Sequence, residues 1–329
     1  MQLSNDQASF KLLIGLVATV ILMLCGMWFT GLAIDWASLD VLVPVVALQL
    51  GLIFYCRYRK LHRFQPVIET MLLLTAATFV ILPITYVSAR IGMPLTDAYL
   101  AEIDDALQVN WPAMVEFVDQ HPTLAVALQL AYLSFRFQLV FLPLYFALFS
   151  TRGQAIVFGY LAIAVVSSVV SVWFPAYGTY VTYGVGQSDL NAIVLNAAYS
   201  FIAEFDAVRS DPDFVMSLDR VEGILTFPSV HAGVALLCVW GAAGSRLLFW
   251  PLLVLNVAMA FAAITHGSHY VVDVVAGLVV AAVCIAAAAR IFPGNSIRAA
   301  HHAERQLYAD IRSLIPRRRP TVAAEIDHA

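Results

Sequence analysis

The chain has 329 residues, of which 61% are hydrophobic and only 12% are charged, and its formal net charge is −4. A soluble domain carries about 25% charged residues, so this composition excludes an ordinary soluble protein and indicates an integral membrane protein. The slightly negative net charge excludes general electrostatic attraction to nucleic acid. We therefore predict an all-α integral membrane fold with no nucleic-acid partner.

Eight apolar runs approach the roughly 20 residues that a helix needs to cross a bilayer. They predict transmembrane helices at about 11–34, 39–56, 68–91, 123–150, 154–174, 229–243, 247–265 and 269–291. Between the third and fourth runs, residues 94–120 mix acidic and apolar side chains, a pattern typical of amphipathic helix along a membrane surface. Pro112 is expected to break this helix in two.

The distribution of charge predicts an orientation. If the N-terminus is cytoplasmic, eight spans place most of the 18 lysines and arginines on the cytoplasmic side, including the cluster at 57–63 and a basic tail. The acidic residues of 94–120 and of the long segment 175–226 then lie outside, as basic loops favour the cytoplasm. The sequence therefore predicts a multi-pass protein of the cell inner (plasma) membrane, with both termini cytoplasmic. The tail is expected to start as a helix. It could be either a docking or regulatory segment or a solvated basic end.

Two short stretches carry histidines at the edges of apolar runs. Residues 227–233 contain His231, and residues 265–273 contain His266, His269 and Asp273. Residues at i and i+4 share a helix face, so His269 and Asp273 are predicted to touch. The orientation above places all three histidines at the outer membrane face. An ionisable group such as Asp273 inside a span is costly and usually functional.

These residue types favour phosphoryl transfer. A carboxylate that holds one nitrogen of His269 leaves the other free to attack, and His231 could protonate a leaving group. Ser229 lies at a predicted helix start, where it could bind phosphate or simply cap the helix. A metal site of His231, His266, His269 and Asp273 is the alternative. No cysteine or further carboxylate completes that set, so we predict no metal and no cofactor.

The two histidine stretches also resemble a known family. Phe-Pro-Ser-Val-His-Ala at 227–232 and His-Tyr-Val-Val-Asp-Val-Val-Ala-Gly at 269–277 are similar to the second and third signature motifs of the type 2 phosphatidic acid phosphatase superfamily. The branch that includes the inositol phosphorylceramide synthases is the most similar one. The resemblance covers about residues 95–280. It implies the helical core of that superfamily for this region. We divide the chain into N-terminal transmembrane helices at 1–92, a phosphatase/phosphotransferase membrane domain at 93–292 and a basic cytoplasmic tail at 293–329, and the resemblance concerns only the second of these.

The resemblance implies roles for the motif residues. By it, His269 attacks phosphorus, Asp273 orients His269, His231 protonates the leaving alcohol and Ser229 helps hold the phosphate, all without metal. The implied substrate is a lipid or polyprenyl phosphate or a phospholipid head group. Water or an alcohol such as inositol would accept the phosphoryl group. Hydrolase and head-group transferase both stay open, as does a non-enzymatic lipid-binding or transport protein.

Two departures from the family pattern concern positive charge. The classical phosphatases carry a Lys–Arg first motif, of which this chain has no clean copy, and an arginine six residues before the nucleophile, where this chain has Ala263. Negative phosphate still requires positive charge. We take Arg136, Arg209 and His266 as candidate substrate-binding residues, although simple counting places Arg136 near mid-membrane.

Overall fold

The computed structural model describes residues 4–195, 199–218, 220–293 and 297–314, and these residues are largely helical. The α-helices in chain order are α1 (Asn5–Thr30), α2 (Leu42–Tyr58), α3 (Gln65–Arg90), α4 (Asp97–Ala106), α5 (Trp111–Asp119), α6 (Pro122–Leu133), α7 (Phe135–Ala147), α8 (Arg152–Ser171), α9 (Thr179–Thr182), α10 (Ile202–Ser210), α11 (Val230–Ala242), α12 (Arg246–His266), α13 (Val271–Ile291) and α14 (Ile297–Leu314). Strands β1 (Ala33–Ile34) and β2 (Val215–Met216) pair in parallel. The predicted all-α fold class is confirmed.

Within the described ranges, six helices are long and apolar enough to cross a membrane: α1, the Trp36–Tyr58 segment that contains α2, α3, α8, α12 and α13. Helices α6 and α7 together form a seventh candidate, which is bent by 46°. The predicted sixth span, α11, has only 13 residues, or roughly 20 Å, against a hydrocarbon core of about 30 Å. The chain is thus a multi-pass membrane protein, whereas the count of eight full-length spans is not confirmed.

Helix α11 can be short because it lies inside the bundle, packed against α7, α8, α12 and α13. Its first turn is capped by Ser229, whose hydroxyl oxygen accepts a hydrogen bond from the Ala232 amide at 3.3 Å. At its other end, the buried guanidinium of Arg152 donates to the carbonyls of Trp240 and Gly241. A helix whose end groups are satisfied by protein has no need to reach the lipid head groups.

The N-terminal helices form a layer on one side of this bundle. Helix α3 packs against α1, α2, α7 and α8, and so joins the N-terminal layer to the bundle. The pairing of β1 with β2 ties the α1–α2 linker to the segment that follows α10. Arg90, at the end of α3, donates to the carbonyls of Val208 and Pro212 at 3.0 and 2.7 Å. These bonds attach the long segment 175–226 to the N-terminal layer.

The mixed segment 94–120 forms two helices, α4 and α5, as predicted. The break between them falls at residues 107–110 and not at Pro112, which lies in the first turn of α5. Proline has no amide hydrogen, and the first turn of a helix is where that loss is tolerated. The Asn110 side chain caps α5 by accepting from the Ala113 amide at 3.0 Å.

The predicted tail helix is present as α14, and the arginines at 317–319 lie outside the described residues. The buried carboxylate of Glu304 accepts hydrogen bonds from the Tyr145 hydroxyl, at 2.6 Å, and from the Ser245 hydroxyl. Arg63 in the α2–α3 loop pairs with Asp310. The helix is therefore attached to α7, to the α11–α12 turn and to the α2–α3 loop.

Candidate active site

His269 and Asp273 form a buried pair. The Nδ1 atom of His269 lies 3.4 Å from Oδ2 of Asp273, and the residues are 3% and 0% exposed. The prediction of contact assumed that both residues share a helix, but α13 begins at Val271, after His269. Asp273 instead reaches back from the first turn, where it also accepts from the Tyr270 amide at 2.9 Å. The contact is therefore part of a helix N-terminal cap.

His231 faces this pair from the first turn of α11. Its ring centroid lies 6.4 Å from that of His269. Tyr132 stacks on the ring at 4.2 Å, and Phe135 meets it edge-on at 4.5 Å. Among the described residues, no group hydrogen-bonds to the buried Nε2 atom of His231. The two aromatic rings thus fix the orientation of His231 and leave a ring nitrogen for a ligand.

A close helix approach holds the two histidine segments together. The Ser229 amide donates to the backbone carbonyl of Asp273 at 3.0 Å. Gly277, one turn further along α13, lies so near that a Cβ atom there would stand 2.1 Å from the Ser229 carbonyl oxygen. Glycine is therefore required at this position, and the start of α11 is seated directly on α13.

The backbone before α13 is fixed by the segment around Gly178. Ser268 has a positive φ of 61°, and its carbonyl accepts from the Thr179 amide at 3.0 Å. Gly178 has φ 98°, and a Cβ there would lie 2.2 Å from the Ser268 oxygen. The His269 amide in turn donates to the Ala263 carbonyl at 3.2 Å. His269 is consequently held by its backbone as well as by Asp273.

Two acidic residues of α4 also hold the segment around the start of α13, in a role that was not predicted from the sequence. Asp104 accepts from the amides of Val271 and Val272 at 2.7 and 2.9 Å. Asp97 accepts from the Tyr270 hydroxyl at 3.0 Å. Burial raises the pKa of Asp104 above its ordinary value, although the two amide bonds oppose that shift. The sequence offered one signal for this role, the spacing of Asp97 and Asp104, because residues seven positions apart on a helix share one face.

A cavity of about 490 Å³ opens beside His231, a size typical of ligand sites. Its wall is mainly apolar and comes from α3, α7, α8, α11 and residues 221–225, while Arg136, Glu222 and His231 supply charged or titratable groups. Arg136 lies just after the α6–α7 bend, in the first turn of α7. The bend therefore brings Arg136 to the cavity wall, which simple counting along a straight span did not anticipate.

Two other candidate residues do not line this cavity. The Nη2 atom of Arg209 donates to the Met93 carbonyl at 2.7 Å. His266 is buried in the last turn of α12, where its Nδ1 atom lies 3.0 Å from the Thr265 hydroxyl. Ala263, which stands where the classical phosphatases keep an arginine, is fully buried. The structure thus gathers His231, His269, Asp273 and Ser229, with Arg136 on the wall beside His231.

In the part of the chain that the structure describes, no three histidine, cysteine, aspartate or glutamate side chains are grouped so that they could hold a metal ion. A family model described as the PAP2 superfamily, the type 2 phosphatidic acid phosphatases, matches residues 98–287. No curated protein and no solved structure matches the chain. The family match covers more than half of the chain and includes both histidine segments. The chain therefore belongs to the PAP2 superfamily, whose members are generally phosphatases or phosphotransferases.

Proposed function

We propose that the chain is a membrane lipid phosphatase or phosphotransferase that works through a phosphohistidine. Its substrate class is a lipid-linked phosphate, a polyprenyl phosphate or a phospholipid head group. The observation that carries the proposal is the pairing of His269 with Asp273, opposite an unpartnered nitrogen of His231 that borders an apolar cavity. At this separation both rings can reach one phosphoryl group.

In the first step, Asp273 accepts a hydrogen bond from the Nδ1–H group of His269, which stays protonated there, so the lone pair on Nε2 is free to attack phosphorus. A nitrogen–phosphorus bond forms while the phosphorus–oxygen bond to the leaving group breaks. His231 gives its proton to the departing oxygen. In the second step, water or an alcohol attacks phosphorus and returns a proton to His231. The nitrogen–phosphorus bond then breaks and His269 is restored.

Phosphate binding is assigned to the start of α11 and to Arg136. The first-turn amides of a helix and its dipole favour an anion there. Ser229 accepts from Ala232 as a cap, so its own hydroxyl hydrogen stays available as a donor to phosphate. Arg136 supplies a positive charge on the cavity wall beside His231. Because Arg209 and His266 do not line this wall, we assign them no phosphate contact.

The apolar part of the cavity suits the lipid portion of the substrate. Leu74 and Thr85 both line it, and their separation along α3 corresponds to a depth of roughly 16 Å. An aliphatic chain can lie in this space while its phosphate meets the histidines. We further propose that residues 93–292 form the catalytic part and that the site faces the periplasm or exterior of the inner membrane. An outer-face reporter fused after Leu190 is then active, whereas a cytoplasmic signal there would reverse the orientation.

The test is turnover by the purified full-length protein in detergent, with a metal chelator present. A panel of lipid phosphates, polyprenyl phosphates and phospholipids is supplied with and without inositol and other alcohols. Free phosphate and new phosphodiester are both measured. His269→Ala is expected to reduce turnover to background, while His62→Ala, at an exposed loop histidine, keeps it. Unchanged turnover in His269→Ala would sink the proposal.

A head-group transferase is the second candidate, and Glu222 favours it. Glu222 lines the cavity together with Arg136 and His231. A carboxylate there repels a doubly charged phosphomonoester but accepts hydrogen bonds from the hydroxyls of an alcohol. The absence of an arginine at Ala263 acts in the same direction, because a phosphodiester carries less charge. New phosphodiester in the panel identifies a transferase, whereas binding of panel lipids without any turnover identifies a lipid-binding or transport protein.

A further inference from the structure

One side of helix α14 packs against the rest of the protein. Ala300 and Glu304 are 1% and 5% exposed, and Glu304 is held by the hydroxyls of Tyr145 and Ser245. Asp310 pairs with Arg63 of the α2–α3 loop. The helix is thus fixed against the ends of the membrane bundle, and its rotation about its own axis is determined.

That rotation exposes a stripe of positive charge. Arg298, Arg305 and Arg312 are seven residues apart, so they drift by only about 20° per step and lie on one face of the helix. All three are exposed. No carboxylate in the described part of the chain pairs with any of them. The stripe therefore presents three unneutralised guanidinium groups.

The stripe is bordered by exposed apolar side chains. Ile297 and Tyr308 are 46% and 44% exposed, and helical spacing places them between the arginine stripe and the buried side of α14, where the Tyr308 hydroxyl also lies 3.0 Å from the Tyr145 hydroxyl. Guanidinium groups beside an apolar edge are the arrangement of a helix that lies in a membrane interface. The pairing of Asp310 with Arg63 puts the stripe at the same end of the bundle as the basic cluster 57–63.

We propose that α14 lies in the head-group layer at this end of the bundle and binds anionic phospholipids through Arg298, Arg305 and Arg312. The three guanidinium groups meet lipid phosphates, and Ile297 and the exposed part of the Tyr308 ring enter the acyl boundary. Charge complementarity identifies the ligand as an anionic lipid bilayer. Its head groups are negative and match the row of unpaired arginines, while its acyl chains match the apolar edge of the helix. This role is independent of the catalytic assignment.

The experiment uses the full-length protein in nanodiscs of phosphatidylcholine alone or of phosphatidylcholine mixed with phosphatidylglycerol. Hydrogen–deuterium exchange is measured for peptides from Ile297–Leu314. Anionic lipid is expected to slow exchange in these peptides by tenfold or more, since each arginine near an anionic surface contributes roughly fivefold. Added salt reduces the difference.

The variant Arg298→Gln/Arg305→Gln/Arg312→Gln is expected to lose the dependence on anionic lipid. The matched control His302→Gln/Gln306→Ala/Ser313→Ala changes other polar positions of the same helix and keeps that dependence. Equal exchange of the wild-type protein in both lipid compositions would overturn the proposal, and would indicate a solvated face or a soluble partner. The comparison of the two lipid compositions uses the wild-type protein, so it tests the proposal even if the triple variant destabilises the helix.

Discussion

Replacing Gly277 by alanine tests whether the seating of α11 on α13 positions the catalytic groups. The new Cβ atom would lie 2.1 Å from the Ser229 carbonyl oxygen, and real Cβ contacts keep at least 3.0 Å, so the helices must separate by about 0.9 Å. The new Cβ atom is bonded directly to the α13 backbone, and the oxygen that it meets belongs to the Ser229 backbone, so a rotamer change cannot relieve the clash. The substitution therefore moves His231 relative to His269.

A displacement of this size has two expected consequences. Misplacing catalytic groups by about 1 Å can lower turnover roughly 100-fold. Overpacking a membrane core costs on the order of 1–3 kcal/mol, a loss that the folded protein can survive. We therefore expect kcat of Gly277→Ala to fall about 100-fold on the best panel substrate, with a moderate decrease in the thermal unfolding temperature.

The matched control is Gly51→Ala in α2. A Cβ atom at Gly51 meets nothing within 4 Å, and the position lies within a membrane helix like Gly277. Alanine there is expected to keep full turnover and to gain up to about 1 kcal/mol of helix stability. A kcat of Gly277→Ala equal to that of the wild-type protein would refute the reasoning, because catalysis would then not depend on the close contact between α11 and α13.

Three further substitutions test the surroundings of the site. Asp104→Asn removes the carboxylate that holds two amides at the start of α13, so kcat is expected to fall about tenfold with little change in lipid binding, and equal kcat would contradict the positioning role. Glu222→Gln is expected to lower the ratio of phosphodiester to free phosphate severalfold in the alcohol panel, and an unchanged ratio would remove Glu222 from acceptor recognition. Asp119 is buried, which by itself raises its pKa, but bonds from the amides of residues 191–193 lower the pKa overall. Its stabilisation is therefore present above the ordinary aspartate pKa of about 3.9 and lost as pH falls through the lower native pKa. Asp119→Asn is expected to cost roughly 1–3 kcal/mol in thermal unfolding at neutral pH and progressively less below pH 4, and a cost that does not vary with pH would contradict this.

Most of the membrane helices were predictable from the sequence because hydropathy and length are local properties. The exceptions are α11 and the α6–α7 pair. Helix α11 is short because Arg152, distant in sequence, satisfies its last carbonyls. The bend after α6 does not change the mean hydropathy of the segment, so hydropathy could not predict it. This bend brings Arg136 to the cavity.

The candidate site was predictable in its residues and not in its geometry. The motif spacing indicated that His269 and Asp273 would touch, but the contact arises from a helix cap and not from a shared helix face. The positioning role of Asp104 depends on α4 packing against the start of α13, a contact between segments about 170 residues apart. Such contacts follow from tertiary structure, so only the spacing of acidic residues on α4 hinted at them.

The most direct test of the central claim is to trap the covalent intermediate. The full-length protein is quenched during turnover of a substrate labelled in its phosphate, and the labelled peptide is identified by mass spectrometry. We expect a phosphoryl group on His269 that is stable to base and labile to acid, and that is absent in His269→Ala. A label on Ser229 or any other residue, or turnover with no label on the protein, would contradict the claim that His269 is the nucleophile.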